Sequence, residues 1–233
     1  MELSNQSVLR DIPSRKKLYR NFFQEFHTWG KSSGRVLLNQ VIKDLEIGGE
    51  ILDLGAKSPI SSYNRWFKKK ADCHYTYIDL FSQSADVVNA DLEQPWPKFD
   101  QQFDYILCFN LLEHIYNFEN VLTESYKNLK SPGQLIGSVP FLGAYHADPH
   151  DYFRYTHESL ERLLKQAGFN QVVIYFLGFG PFYAAWSQYE FIFPNWLRGI
   201  GVSFNILLDL IFLKFYPRYK HKFADGYLFV ATK

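Results

Sequence analysis

Seven residues, Glu50-Ile51-Leu52-Asp53-Leu54-Gly55-Ala56, constrain the fold more than any other stretch of this chain. An apolar run that stops abruptly at a glycine reads as a short buried strand followed by a tight turn. About 25 residues further on, a second apolar run, Tyr75 to Ile78, ends on a carboxylate, Asp79. A strand, a glycine turn, a helix and a second strand ending in an acid make a βαβ unit that cradles a nucleotide. The glycine lets the main chain approach a ligand, the helix offers its N-terminal amides, and the acid accepts hydrogen bonds from ribose hydroxyls. The pattern points to a small cofactor that contains adenosine.

The rest of the chain narrows the class. Its 233 residues suit one large domain, or one domain with an elaboration, and 47% apolar residues supply a core. A formal net charge of +1 gives no broad basic field, which argues against nucleic acid as a partner. Cys73 and Cys108 are the only cysteines and form no CxxC pair, so a reducing compartment and no metal site are expected. Met1 to Arg20 is polar and lacks an apolar stretch of signal-peptide length, so the expected location is the cytoplasm.

Along the chain, residues 1–20 read as a loosely held polar arm. Helical spacing runs over 21–47, ended by Gly48-Gly49, and the first strand is Ile51 to Leu54. The spacing predicts a crossover helix over Ser61–Lys70, with Lys68-Lys69-Lys70 at its solvent end. Strands follow at Tyr75–Ile78, Asp86–Asn89 and Phe103–Phe109, the last apolar throughout, as when both faces of a sheet are covered. A helix over Glu119–Leu129, a turn at Lys130-Ser131-Pro132-Gly133 and a strand over Gln134–Val139 come next. Thr156 caps a further helix, which has Glu158 in its first turn and ends at Gly168. Strands at Val172–Leu177 and Tyr227–Thr232 complete an α/β, doubly wound, mainly parallel sheet. Three parts are expected: an arm and helix over 1–34, a main domain over 35–178 plus 226–233, and an insertion over 179–225.

Taken in order, Asp53-Leu54-Gly55, Asp79, Asp91-Leu92, Leu112-Glu113-His114-Ile115, Lys130-Ser131-Pro132-Gly133 and His146-Ala147-Asp148-Pro149-His150-Asp151-Tyr152-Phe153-Arg154-Tyr155-Thr156 resemble one family. They look like a class I methyltransferase using S-adenosylmethionine, nearest a bacterial group with an HxxPxDYxRYT block. The resemblance covers roughly residues 35–178 and the last strand. It implies a Rossmann-like seven-stranded sheet whose last strand runs antiparallel between the fifth and sixth. It also implies S-adenosylmethionine as cofactor and S-adenosylhomocysteine as product, held by Asp53, Gly55, Ala56, Lys57, Asp79, Leu80, Asp91, Leu92 and Asn110. Asp53 fixes the loop or meets the cofactor's amino group, or else caps the crossover helix. Asp91 reaches the adenine amine, or forms a turn, and Leu92 packs on the ring. The loop Gly55-Ala56-Lys57-Ser58-Pro59 keeps only the first of the family's glycines, which leaves a non-catalytic binding or scaffold relative as the alternative.

The block from His146 to Thr156 follows the fifth strand and so belongs over the same sheet edge. Methyl transfer is an in-line displacement, for which the protein aligns the acceptor and takes the proton of a hydroxyl. His146 and His150 are the candidate bases. Asp151 orients one of them, and Arg154 holds an anionic acceptor or pairs with Asp151. The alternative is that Asp151, Tyr152 and Arg154 form a structural latch. His114 reads as a packed, orienting residue. The expected acceptor is a small or lipid-linked molecule, of sugar or glycan type by family association, methylated on oxygen.

About 48 residues separate the sixth strand from the last, where a short hairpin is usual. This insertion is crowded with aromatics, continues as an apolar helix containing Asn205 and Asp209, and turns basic at Arg218, Lys220 and Lys222. A transmembrane span would place Asp209 at mid-depth, at a cost of about 2.5–3.5 kcal/mol. The pattern fits an interfacial helix on the inner face of a membrane. A substrate lid and a homodimer surface stay open beside it.

Overall fold

The structure, a computed structural model, describes residues 9–12, 25, 30–56 and 63–233. Among these, eight strands form one sheet: β1 (Leu9–Arg10), β2 (Glu46–Leu54), β3 (Lys68–Asp79), β4 (Val87–Asn89), β5 (Phe103–Phe109), β6 (Leu129–Pro140), β7 (Gln171–Leu177) and β8 (Gly226–Thr232). Their order is β1-β7-β8-β6-β5-β2-β3-β4. β8 runs antiparallel between β6 and β7, and the other pairs are parallel. This is the doubly wound, Rossmann-like sheet that the pattern predicts, with eight strands in place of seven. The extra strand, β1, lies in the segment expected to be a loose arm and pairs with Ile174 and Tyr175. The free backbone groups of an edge strand accept any extended segment, so such pairing leaves little trace in side chains.

Other boundaries shift for local reasons. Gly48-Gly49 does not end a helix but lies inside β2, at a register slip between Ile47 and Gly49. Gly49 has φ +71°, and a Cβ there would run into the Asp104 carboxylate, which accepts from the Glu50 amide at 2.9 Å. A bulge of this kind uses glycine because only glycine takes the left-handed conformation cheaply. Lys68-Lys69-Lys70 does not finish a helix: it starts β3, on the part of the strand that extends beyond the core and is exposed. Residues 63–66 form turns, while Lys57 and the rest of 57–62 lie outside the described residues. Lys130 to Gly133 belongs to β6 rather than to a turn, and Lys130 pairs with Asp104 at 2.8 Å.

Five helices cover the sheet among the described residues. α1 (Ser33–Ile42) is capped by Ser32, whose hydroxyl accepts from the Arg35 amide. It is shorter than the helix expected over 21–47, of which 21–24 and 26–29 lie outside the described residues. α2 (Phe118–Asn128) and α3 (His157–Gln166) follow, the latter capped by Thr156 as expected. α4 (Pro181–Tyr189) and α5 (Asn195–Phe215) form the segment between β7 and β8. One core joins α2 and α3 to the sheet through Val121, Leu122, Leu160 and Leu164. The other face holds Val36 and Leu37 of α1, Tyr183 and Trp186 of α4, and Val202 and Ile206 of α5. Each such side chain stabilises the fold by about 1.5–3 kcal/mol on burial. Asp209 of α5, fully buried, accepts from the amides of Phe182 at 3.0 Å and Tyr183 at 2.8 Å, and so caps α4 from a distant part of the chain.

The chain leaves β2 toward β3 on one side, while β5 pairs with β2 on the other. This reversal opens a crevice at the carboxyl ends of β2 and β5, where open α/β sheets bind ligands.

Candidate functional site

A cavity of about 480 Å³ lies in that crevice. Gly55 from the end of β2, Asp79, Leu80 and Phe81 from the end of β3, and Ala90 to Glu93 after β4 form one side. Leu111, His114 and Ile115 after β5, with Asp148, Pro149, His150 and Tyr152 of the loop after β6, form the other. A larger groove of about 590 Å³ sits at the opposite strand ends, around Gly48, Lys70, Asp104 and Lys130. It lacks the Gly55 turn and the strand-ending acid, so the first cavity is the candidate site.

Gly55 has φ +73°, and a Cβ there would stand 3.0 Å from Leu111 Cδ1. Its amide and that of Ala56 donate to the Ile78 carbonyl, which ties the turn to β3. Ala56 itself is buried. Asp79 is almost fully buried, and one carboxylate oxygen accepts from the Phe81 amide at 2.9 Å. Asp91 lines the cavity and also forms a turn, its Oδ1 accepting from the Glu93 amide at 2.9 Å. Leu92 is buried against the same wall.

Asp53 and Asn110, also expected on the cofactor, do not line this cavity. Asp53 is fully buried and turned toward the loop after β2, where Tyr63 Oη donates to it at 2.5 Å and Asn64 Nδ2 at 3.0 Å. It fixes that loop. Asn110 has φ +48°, and its Oδ1 accepts from Ser138 Oγ at 2.6 Å. It lines a separate cavity of about 170 Å³, with Arg35, Ser138 and Gly226. Lys57 lies outside the described residues.

The loop after β6 is built around Arg154. Its guanidinium donates to both Asp151 oxygens, at 2.5 and 2.7 Å, and to the carbonyls of Gly143 and Ala144. Bidentate pairing with Arg154 holds the Asp151 carboxyl well below the usual carboxylate range. Asp151 Oδ2 in turn accepts from the His146 amide at 2.8 Å. The pair thus shapes the loop and presents His146. His150 lines the cavity, and its carbonyl lies 2.5 Å from His114 Nδ1.

Glu113 is the residue that sequence reasoning missed as a functional group. It is fully buried behind His114, and burial pushes its carboxyl up to about 8, against the opposing pull of Arg154. Its Oε1 stands 3.8 Å from His114 Nε2 and 3.9 Å from His146 Nε2. The only signal in the sequence is the acid beside His114, and nothing local places His146 against it.

A family model for a methyltransferase domain matches residues 15–173. No curated protein sequence matches the chain. Among solved structures, an S-adenosylmethionine-dependent methyltransferase of Thermotoga maritima is 14% identical, with a TM-score of 0.54, over 93% of this chain and 91% of that one. One from Archaeoglobus fulgidus is 15% identical, with a TM-score of 0.53, over 91% and 99%. The chain spans about half, 52%, of phosphoethanolamine N-methyltransferase 2 of Haemonchus contortus, which is 17% identical with a TM-score of 0.47 over 88% of this chain. The Thermotoga maritima and Archaeoglobus fulgidus structures share the fold.

Proposed function

The chain belongs to the methyltransferase-domain family, and from that premise we propose that it transfers the methyl group of S-adenosylmethionine to an oxygen of a small or lipid-linked acceptor. One observation carries the reading: Gly55 and Asp79, predicted as the two halves of a nucleoside grip, line one cavity with His114 and His150. When bound, the cofactor supplies a methyl group activated by positive sulfur. The residues of this chain do the rest. Asp79 accepts hydrogen bonds from the ribose hydroxyls, the Gly55 turn lets the main chain come close, and Leu92 packs on the base. The loop carrying Asp148 to Tyr152 forms one wall of the cavity. Asp151 with Arg154 holds in place the loop that presents His146 beside the cavity.

A lipid-linked acceptor is favoured by the outer face of α5. Trp196, Ile200, Phe204, Leu207, Ile211 and Phe215 are exposed in one helical stripe, while Val202, Ile206 and Asp209 are buried on the other face. The helix is long and apolar enough to cross a membrane by length and composition, with a mean hydropathy of 1.6. Its docking on the sheet and the capping of α4 by Asp209 favour a helix lying in the interface of the cytoplasmic leaflet instead. Arg198, Lys214 and Arg218 supply charge for anionic headgroups.

Calorimetric titration with S-adenosylhomocysteine tests the cofactor site. We expect binding at micromolar concentrations, weakened at least about tenfold in Asp79→Ala by the loss of two charge-assisted hydrogen bonds. No binding at millimolar concentration overturns the enzyme reading. Flotation with anionic vesicles tests the membrane surface, and Phe204→Asp should abolish it.

A further inference from the structure

We propose that Glu113, His114 and His146 form a binding site for one divalent transition-metal ion at the edge of the methyl-transfer cavity. Their donor atoms, one carboxylate oxygen and two imidazole nitrogens, lie within 4.8 Å of one another. Ligands about 2.0–2.1 Å from a tetrahedral ion stand roughly 3.4 Å apart, so the Glu113 contacts of 3.8 and 3.9 Å close on an ion by a few tenths of an ångström.

Three features separate this cluster from an ordinary polar contact. Glu113 has no solvent exposure, and among the described residues neither of its carboxylate oxygens meets a hydrogen-bond donor. A buried acid with two unmatched acceptors is costly unless something cationic fills the gap. The nearby Arg154 guanidinium is already engaged by Asp151 and the Gly143 and Ala144 carbonyls. Secondly, each histidine has a backbone carbonyl at its other nitrogen: His114 Nδ1 at 2.5 Å from His150 O, and His146 Nδ1 at 2.9 Å from Ala144 O. Donation to those carbonyls places both ring protons on Nδ1 and leaves both Nε2 lone pairs facing Glu113. Metal-ligating histidines are held by this same kind of outer contact. Thirdly, the two rings meet edge to face with centroids 5.1 Å apart, and both Nε2 atoms stand within 4 Å of the same Glu113 oxygen.

Two imidazoles and one carboxylate without sulfur suit Zn²⁺, Mn²⁺ or Fe²⁺, and disfavour the all-oxygen preference of Mg²⁺ or Ca²⁺. Three protein ligands leave open positions, as in catalytic rather than structural sites. His146 is half-exposed and His114 lines the cavity, so an incoming molecule can reach the cluster. The use of the ion rests on the methyltransferase reading. It would hold an acceptor through its oxygen and favour loss of the hydroxyl proton to solvent. The oxygen lone pair then forms the new O–CH₃ bond as the C–S bond breaks, with its electrons remaining on sulfur. Acceptors with a second oxygen close by, such as hydroxy acids or vicinal diols, would bind best because they chelate.

The test is titration of the tag-free, chelator-treated protein with Co²⁺, read by visible absorption, followed by displacement with Zn²⁺. We expect one equivalent bound, with affinity reduced at least about tenfold in His146→Ala and in Glu113→Gln. His74→Ala, at the opposite end of the sheet, should leave it unchanged. His146 is on a loop surface, so its variant keeps the fold even where that of Glu113 does not, and circular dichroism checks both. Absence of the cobalt spectrum, or equal binding by wild type and the His146 variant, overturns the site. A parallel titration with S-adenosylhomocysteine separates the two readings: nucleoside binding without metal binding removes only the metal site, and metal binding without nucleoside binding removes only the transferase assignment.

Discussion

The loops that leave β2 and β5 start from neighbouring strands at one edge of the sheet, and each involves a carboxylate with no solvent exposure. Asp53 closes β2 with two short hydrogen bonds, from Tyr63 and Asn64. Glu113, four residues past the end of β5 at Phe109, has histidine nitrogens 3.8 and 3.9 Å away and no donor within hydrogen-bonding reach among the described residues. Burial is equal in the two and pairing is opposite. A carboxylate completed by its own loop is part of the scaffold. One left incomplete by the fold is held for something that arrives from outside.

Four measurements break or sharpen this contrast. The largest effect is expected for Asp53→Ala, which removes the buried acceptor of the Tyr63 hydroxyl and the Asn64 amide: about 3 kcal/mol of stability lost, read from urea unfolding. A loss below about 1 kcal/mol would erase the distinction between the loops. The second concerns pH in chelator-treated protein. Glu113 has a folded pKa of about 8 against an ordinary 4.5, so between these values the folded chain keeps a proton that the unfolded chain has released. Its stabilising contribution is complete below pH 4.5 and is lost as pH rises toward 8, on the order of 1 kcal/mol per pH unit at most. Glu113→Gln should flatten that slope in denaturation series, and a slope unchanged by the variant would assign it to other groups. Tyr63→Phe, third, removes one donor to Asp53 and should cost about 1 kcal/mol. Smallest is Glu113→Gln near pH 4, where the side chain is neutral in the folded chain and mostly neutral in the unfolded one: a change within about 0.5 kcal/mol, by the same unfolding assay.

The contrast also marks how far the sequence could be read. Asp53, Gly55 and Asp79 are legible because each sits at the end of an apolar run, and strand periodicity is a local signal. The Thr156 cap and the β5 strand are legible for the same reason. The β2 bulge was misread as a helix end because two glycines carry the same local meaning in both settings. Lys68 to Lys70 looked like an exposed helix end, since exposed helix and exposed strand extension both tolerate charge. That Asp53 anchors its loop through Tyr63 and Asn64 depends on where those side chains point, which no spacing rule gives.

From the amino acids alone come the doubly wound sheet, the glycine turn and the acid opposite it, because apolar periodicity and backbone freedom act over a few residues. Only the tertiary structure decided that Glu113 and His146, more than thirty positions apart, face each other, and that Asp209 caps a helix begun almost thirty residues earlier. Burial and hydrogen-bond satisfaction are properties of the packed chain, since whether a polar atom meets a partner depends on which distant segments the core brings beside it.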